Sequence, residues 1–355
     1  VIRLSAIDAH AAGEPLRLIV DGFPSPRGRT MTEKREWLKR HADHLRRMVI
    51  LEPRGHTDMY GAILTEPVSP GSHAGVLFMH NAGYSAMCGH GIIAVTTIAL
   101  ERGLLMPGGD GVTVVFDAPA GTIRARATVT DAPAAPARAQ AHEASETGSG
   151  APRESQGRRV SSVAFTNVPS FVLCGGLVVK VGNRQLRVDV AFGGEFYAIV
   201  DGEAVGLPLD AAHLPELRRA GMDIMRAVEG VQDAVHPVDP KVNGVNGTIF
   251  TGPPRVEGAD LRNVTVFADG AVDRSPCGTG TAAVMAVLDA MGLLSDRPFV
   301  QESVVDARLT GRLTGRTTVG EHEAIVTEIS GSAWITGEHT FVIQPDDPLK
   351  NGFLI

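Results

Sequence analysis

An apolar strand, a short polar turn ending in Cys-Gly-x-Gly and an apolar helix that stops at glycine occupy residues 76–103, and the same arrangement returns over residues 265–292. Cys277, Gly278, Gly280, Ala283, Val284 and Gly292 each stand 189 positions after Cys88, Gly89, Gly91, Ala94, Val95 and Gly103, and a Leu-Leu pair follows each closing glycine. Earlier segments match as well. Gly13, Glu14 and Ile19-Val20-Asp21-Gly22 reappear as Gly194, Glu195 and Ile199-Val200-Asp201-Gly202, with one residue of spacing different. A unit this long occurring twice is an internal duplication, since a solenoid stacks more and shorter repeats. The chain is therefore expected to form two structurally similar α/β lobes sharing one cleft. Its 355 residues favour the same division, because single cores stop growing near this length.

Both cysteine helices are apolar on every side, from Ile92 to Leu100 and from Ala282 to Leu288, so each should run through the middle of its lobe with a barrel-like sheet wrapped around it. Ahead of each cysteine turn an amphipathic helix is expected. One carries Trp37, Leu38, His41 and Leu45, and the other Leu214, Leu217, Ile224 and Val228, with Asp210 as a plausible N-cap. Between the halves, residues 131–158 are rich in Ala, Pro, Ser, Gly and charge without periodicity and read as a mobile surface loop. Trp334 to Ile343 reads as a strand ended by Pro345-Asp346-Asp347-Pro348. The expected first lobe is residues 1–180, completed by 340–355, and the second is 181–339.

Composition narrows the function. A net charge of −7 argues against a phosphate-backbone partner, so nucleic acid is not expected. There is no run of about 18 apolar residues, and Val1 to Gly22 lacks the pattern of a signal peptide, which points to a cytoplasmic protein with no membrane partner. In that compartment the three cysteines, Cys88, Cys174 and Cys277, stay reduced, and their roles are thiol chemistry or packing. Cys174 reads as a small buried hydrophobe.

Cys88 and Cys277 are different. Each immediately precedes a Gly-x-Gly that opens a helix, beside free backbone N–H groups and the positive end of the helix dipole. That position is expected to lower a thiol pKa and to suit a carboxylate. Two such turns facing across a cleft would hold one carboxylate between both helix starts, with a sulfur on each face of its α-carbon. One thiolate removes the α-proton and the opposite thiol delivers another, inverting the centre with no cofactor. His90 could orient the carboxylate or Cys88, and Asp273 could accept a hydrogen bond from a cationic substrate nitrogen. Zinc on Cys88, His90 and Cys277 lacks a fourth ligand, and no Cys-x-x-Cys supports a redox enzyme, so no metal is expected. Both turns also fit the loose G-x-G-x-x-A dinucleotide fingerprint, but two copies each preceded by cysteine fit a duplicated anion pocket better. The Gly13-Glu14 and Gly194-Glu195 pairs serve either turns or the site. A non-catalytic amino-acid-binding protein is the alternative outside enzymology.

Met87-Cys88-Gly89-His90-Gly91 and Asp273-Arg274-Ser275-Pro276-Cys277-Gly278-Thr279-Gly280 resemble the proline racemase family, as do Ala12 to Arg17, Arg54 to Gly61 and Ala191 to Tyr197. The likeness covers essentially the whole chain. It implies the two-lobed fold related to diaminopimelate epimerase, with the site between the lobes, and a proline or hydroxyproline substrate. It also implies carboxylate binding by Gly89, His90, Gly278 and Thr279 and contact of Asp273 with the substrate nitrogen. Family members include proline racemases, 4-hydroxyproline 2-epimerases and trans-3-hydroxyproline dehydratases. Residues 54–60, Gly83-Tyr84-Ser85 and Asp346-Asp347-Pro348-Leu349 look most like the dehydratase branch, where the second cysteine is typically threonine. Here it is Cys277, which favours inversion and keeps dehydration as the alternative. The usual Thr-Gly-Gly-Glu-Pro opening is altered to Ala11-Ala12-Gly13-Glu14-Pro15. His56 and Asp58 are raised by the likeness to candidates for lining the cleft. Pairing of two chains as a homodimer is left open.

Overall fold

The structure, a computed structural model, describes residues 1–107, 112–131 and 158–354, so nearly all of the expected inter-lobe loop lies outside the described residues. The first half runs β1 (Ile2–Ala11), β2 (Glu14–Asp21), α1 (Met31–His41), α2 (Asp43–Ile50), β3 (Tyr60–Thr65), β4 (Ala74–His80), β5 (Tyr84–Ser85), α3 (Gly89–Glu101), β6 (Val112–Ala118), β7 (Gly121–Asp131) and β8 (Arg158–Thr166). The second runs β9 (Ser170–Val181), β10 (Arg184–Phe192), β11 (Phe196–Asp201), α4 (Gly202–Val205), α5 (Leu214–Glu229), β12 (Val245–Gly252), β13 (Leu261–Phe267), β14 (Val272–Asp273), α6 (Gly278–Ala290), β15 (Phe299–Glu302), β16 (Arg308–Val319), β17 (His322–Gly331) and β18 (Ala333–Ile343).

Strand pairing repeats strand for strand. In the second half, β9, β10, β11, β12, β13, β15, β16 and β17 pair in that order and β17 returns to β9, closing a ring. In the first half, β18, β1, β2, β3, β4, β6, β7 and β8 follow the same order, with parallel pairs at β2–β3 and β4–β6 matching β11–β12 and β13–β15. The strand β8 then passes on to β17 and joins the two sheets. This is a mixed α/β fold of two similar barrel-like lobes. Because β9 pairs with β10 and β17 while β18 pairs with β1, the division we favour is 1–169 with 333–355, and 170–332, which moves both boundaries earlier than the sequence suggests.

Each barrel is filled by its own cysteine helix. Every residue of α3 from Gly89 to Ala99 and of α6 from Gly278 to Val287 is buried, as an all-apolar helix surface demands. The expected first amphipathic helix is two helices. Ala42, at φ −136°, breaks the chain between α1 and α2, while Leu38 and Leu45 still pack inward. In the second half Asp210 caps a 3₁₀ turn over Ala211–His213 that leads into α5, accepting from the N–H groups of Ala212 and His213. Among the described residues, no helix is long and apolar enough to cross a membrane.

The two central helices meet at their starts. A Cβ on Gly89 would stand 3.1 Å from Gly278 Cα and 3.1 Å from the Phe165 ring, and one on Gly278 would stand 3.2 Å from Gly89 Cα. Glycine is required there for close approach and not for backbone conformation. Gly89→Ala should cost about 1–3 kcal/mol by overpacking, whereas Gly315→Ala, with open space around it, should stay within about 0.5 kcal/mol. Urea melts of the two variants decide it, and equal midpoints would remove the abutment from the account.

Candidate active site

The abutting helix starts open onto a cavity of 370 Å³, at the lower end of the size range of small-molecule sites. Cys88, Gly89, His90, Asp273, Cys277, Gly278 and Thr279 all line it. Cys88 and Cys277 are the N-cap residues of α3 and α6. Among the described residues, the N–H groups of Gly89, His90, Gly278 and Thr279 donate to no protein acceptor, as the first turn of a helix leaves them. Four free donors and two helix dipoles therefore converge on one small space, which is the arrangement an anion needs.

The two sulfurs sit in different surroundings. Cys88 has ordinary extended backbone at φ −148°, and its sulfur lies 3.4 Å from Nδ1 and 3.5 Å from Nε2 of His90. Cys277 is held at φ +63°, a left-handed conformation that costs a non-glycine residue of order 1–3 kcal/mol. Its N–H donates to Ser275 Oγ at 3.1 Å, and its sulfur accepts from Gly280 N–H at 3.4 Å and lies 3.6 Å from both Tyr197 Oη and Thr279 Oγ1. Tyr197 Oη and Thr279 Oγ1 are joined at 2.8 Å. Asp273 Oδ1 accepts from the Ser275 N–H at 2.8 Å and its hydroxyl at 2.7 Å, fixing the turn that leads to Cys277.

Burial works against the expected lowering of the thiol pKa values. Burial pushes Cys277 up to about 12 and Cys88 well above the ordinary thiol range, and the negative charge of Asp273 pushes both the same way. The N–H groups of Gly280 and Gly91 pull downward, as a helix start should, but desolvation is the larger effect. Burial also raises Asp273 and lowers His90 to about 3, so the imidazole is neutral.

His56 and Asp58, the two candidates for lining the cleft, do not line this cavity. His56 is exposed, with Nδ1 2.7 Å from the carbonyl of Thr57. Asp58 is buried and ion-paired with Arg218 of α5, while its carbonyl accepts from Arg274 Nη2 at 2.8 Å. It is a strut between the lobes. Glu14 is another, accepting from the Arg274 N–H at 2.6 Å and its guanidinium at 3.3 Å. Sequence reasoning assigned no role to Tyr60, Tyr197 or Phe267, which line the cavity. Tyr60 stacks edge-on against His90 at 4.9 Å. Glu195 lines it too, and the repeated Gly-Glu pair was its only signal. Among the described residues, no group of three His, Cys, Asp or Glu side chains is placed to hold a metal ion.

Sequence comparisons with known proteins show the family of this chain. The family model described as proline racemase matches residues 6–151 and 146–354. The chain is 42% identical over 352 residues to a trans-3-hydroxy-L-proline dehydratase of Bacillus cereus, covering 99% of this chain and 98% of that one. It is 37% identical over 355 residues to a proline racemase of Clostridioides difficile, with the same coverage. A solved hydroxyproline epimerase of Agrobacterium vitis, with bound trans-4-hydroxy-L-proline, superposes with a TM-score of 0.81 at 29% identity, over 100% of this chain and 96% of that one.

Protonated, buried thiols react slowly with alkylating agents. At pH 7 without added substrate, iodoacetamide should modify Cys174, which is only partly buried, well before Cys88 or Cys277, as read by peptide mass spectrometry. Modification of the two buried thiols should accelerate with pH beyond the usual thiol pKa of about 8.5. Prompt labelling of either at pH 7 would contradict the upward shifts.

Proposed function

The chain belongs to the proline racemase family, and on that premise we propose that it inverts the α-carbon of proline or a hydroxyproline by passing protons between Cys88 and Cys277. The observation that carries this reading is that both sulfurs and four unpaired helix-start N–H groups line one small cavity. The substrate carboxylate takes the N–H groups of Gly89, His90, Gly278 and Thr279. Its cationic nitrogen faces Asp273, and its α-carbon lies between the sulfurs.

In this scheme one sulfur acts as a thiolate base and the other as a thiol acid, exchanging roles with the direction of reaction. As the α-proton leaves, charge accumulates on the carboxylate oxygens, where the helix starts are already oriented to stabilise it. Binding of the substrate ammonium beside Asp273 offsets the negative charge that raises both thiols, so ionisation of one sulfur is coupled to occupancy. The neutral imidazole of His90 can donate to Cys88 as charge develops there. Tyr197 and Thr279 do the same for Cys277.

A second reading, dehydration of trans-3-hydroxyproline, is supported by the 42% identity to the Bacillus cereus dehydratase. It uses the same α-proton abstraction but ends in loss of the ring hydroxyl, with no need for an acid on the opposite face.

Proton NMR in deuterated water separates the readings. Inversion gives α-deuterium incorporation with appearance of the other stereoisomer, dehydration gives loss of the hydroxyl, and a mere binding protein gives neither. Cys88→Ser and Cys277→Ser should each lower inversion by at least about a hundredfold, while Cys174→Ser leaves it within about twofold. Full activity in either of the first two variants would end the two-thiol scheme.

A further inference from the structure

The duplicated Gly-Glu pairs have diverged in what holds them. Across the β1–β2 turn Ala11 pairs with Glu14, so Glu14 starts a strand, and Arg274 locks it through its N–H and its guanidinium. Across the β10–β11 turn Phe192 pairs with Phe196, so the turn is one residue longer and Glu195 lies within it. This turn packs directly on the second cysteine helix. A Cβ on Gly193 would stand 2.1 Å from the Thr279 carbonyl, and one on Gly194 2.9 Å from Thr279 Cγ2. Glu195 thus enters the cavity beside Thr279, and its carboxyl makes no hydrogen bond among the described residues.

The first cysteine turn offers no counterpart to Arg274. The residue 189 positions earlier is Ser85, which also lines the cavity and carries no charge. Of the other polar side chains in the lining, Tyr84 turns its buried hydroxyl toward the Arg46 guanidinium, and Arg35 Nε has Glu36 nearby, at 3.4 Å. Burial raises the Glu195 carboxyl to about 7, against a smaller opposite pull from Arg35, so near neutral pH it is both donor and acceptor. A buried polar group facing unsubstituted ring carbons would be left unsatisfied, which costs free energy that a hydroxyl on the ring would recover.

Taking the α-carbon chemistry proposed above as given, we infer that Glu195 receives the ring hydroxyl of the substrate and is the residue that selects a ring-hydroxylated proline over proline itself.

The test measures kcat/KM by NMR for L-proline, trans-4-hydroxy-L-proline and trans-3-hydroxy-L-proline, counting α-exchange and hydroxyl loss together, in the wild type, Glu195→Leu and Glu195→Ala. The quantity read is the ratio for the better hydroxylated substrate over L-proline. It should exceed tenfold in the wild type and fall at least about tenfold in Glu195→Leu. Glu195→Ala gives the same readout should the leucine variant fail to fold. A wild type that favours L-proline, or variants that lose all substrates in equal proportion, would overturn the inference while leaving the α-carbon chemistry standing. A wild type that turns over none of the three would instead end the reading on which it rests.

Discussion

The contact on which the rest depends is backbone against backbone, where Gly89 of one central helix meets Gly278 of the other with no side chain between them. Helix dipoles and unpaired N–H groups lose their influence within about a turn. Two helix starts can therefore act on one small anion only if they nearly touch. Each helix is fixed by a barrel that surrounds it, so the meeting point is set by how the barrels are joined. That joint is β8 pairing with β17, with Phe165 of β8 lying beneath both glycines. The ion pairs of Glu14 with Arg274 and of Asp58 with Arg218 tie the same two lobes together from the side.

Burial is what this arrangement costs, and it governs the electrostatics. Cys88, Cys277, Asp273 and Glu195 are all pushed toward their neutral forms chiefly by desolvation. A cavity crowded with would-be anions holds few charges until something cationic enters, because an isolated buried charge is expensive. A zwitterion suits such a site on both counts. Its carboxylate would meet donors that no described residue uses, and its ammonium would lie among groups that gain from a positive neighbour. The neutral state of His90 follows from the same cause and leaves its ring able to donate to one neighbour while accepting from another.

Much of this was legible in the sequence because the duplication repeats at fixed spacing and the cysteine helices are apolar all round. Those two features lead to two lobes, a helix inside each, and two sulfurs at helix starts. What local sequence does not carry is how deeply a residue becomes buried. The expectation of lowered thiol pKa values rested on the helix start alone, and the helix start does pull that way, but enclosure by two barrels outweighs it. The break at Ala42 was hidden because Leu38 and Leu45 stay in phase across it. The strands β9 and β18 lie largely on the other side of the expected lobe boundaries from the barrels they complete, and hydrophobic pattern says nothing of partner choice. Tyr197 was missed because its role arises only when β11 comes beside α6, where its hydroxyl meets Thr279 and the sulfur of Cys277.

A symmetric scaffold holding an asymmetric ligand must diverge, and the divergence here is concentrated in the turns. On the proposed reading the two faces of an α-carbon ask for similar groups, and the two cysteines with their glycines would supply them. The ring and the nitrogen would then lie to either side and ask for different ones. Accordingly Asp273 and Arg274 stand where the first half has Tyr84 and Ser85, and Cys277 accepts a strained backbone that Cys88 avoids. The single residue of altered spacing between Gly194-Glu195 and the strand that follows belongs to the same pattern. In a two-residue turn the glutamate falls in the ladder and is absorbed by the opposite lobe; in a three-residue turn it is released from the ladder and faces the cavity. A change of length in one hairpin thus converts a structural carboxyl into one available to a ligand, without moving either helix start.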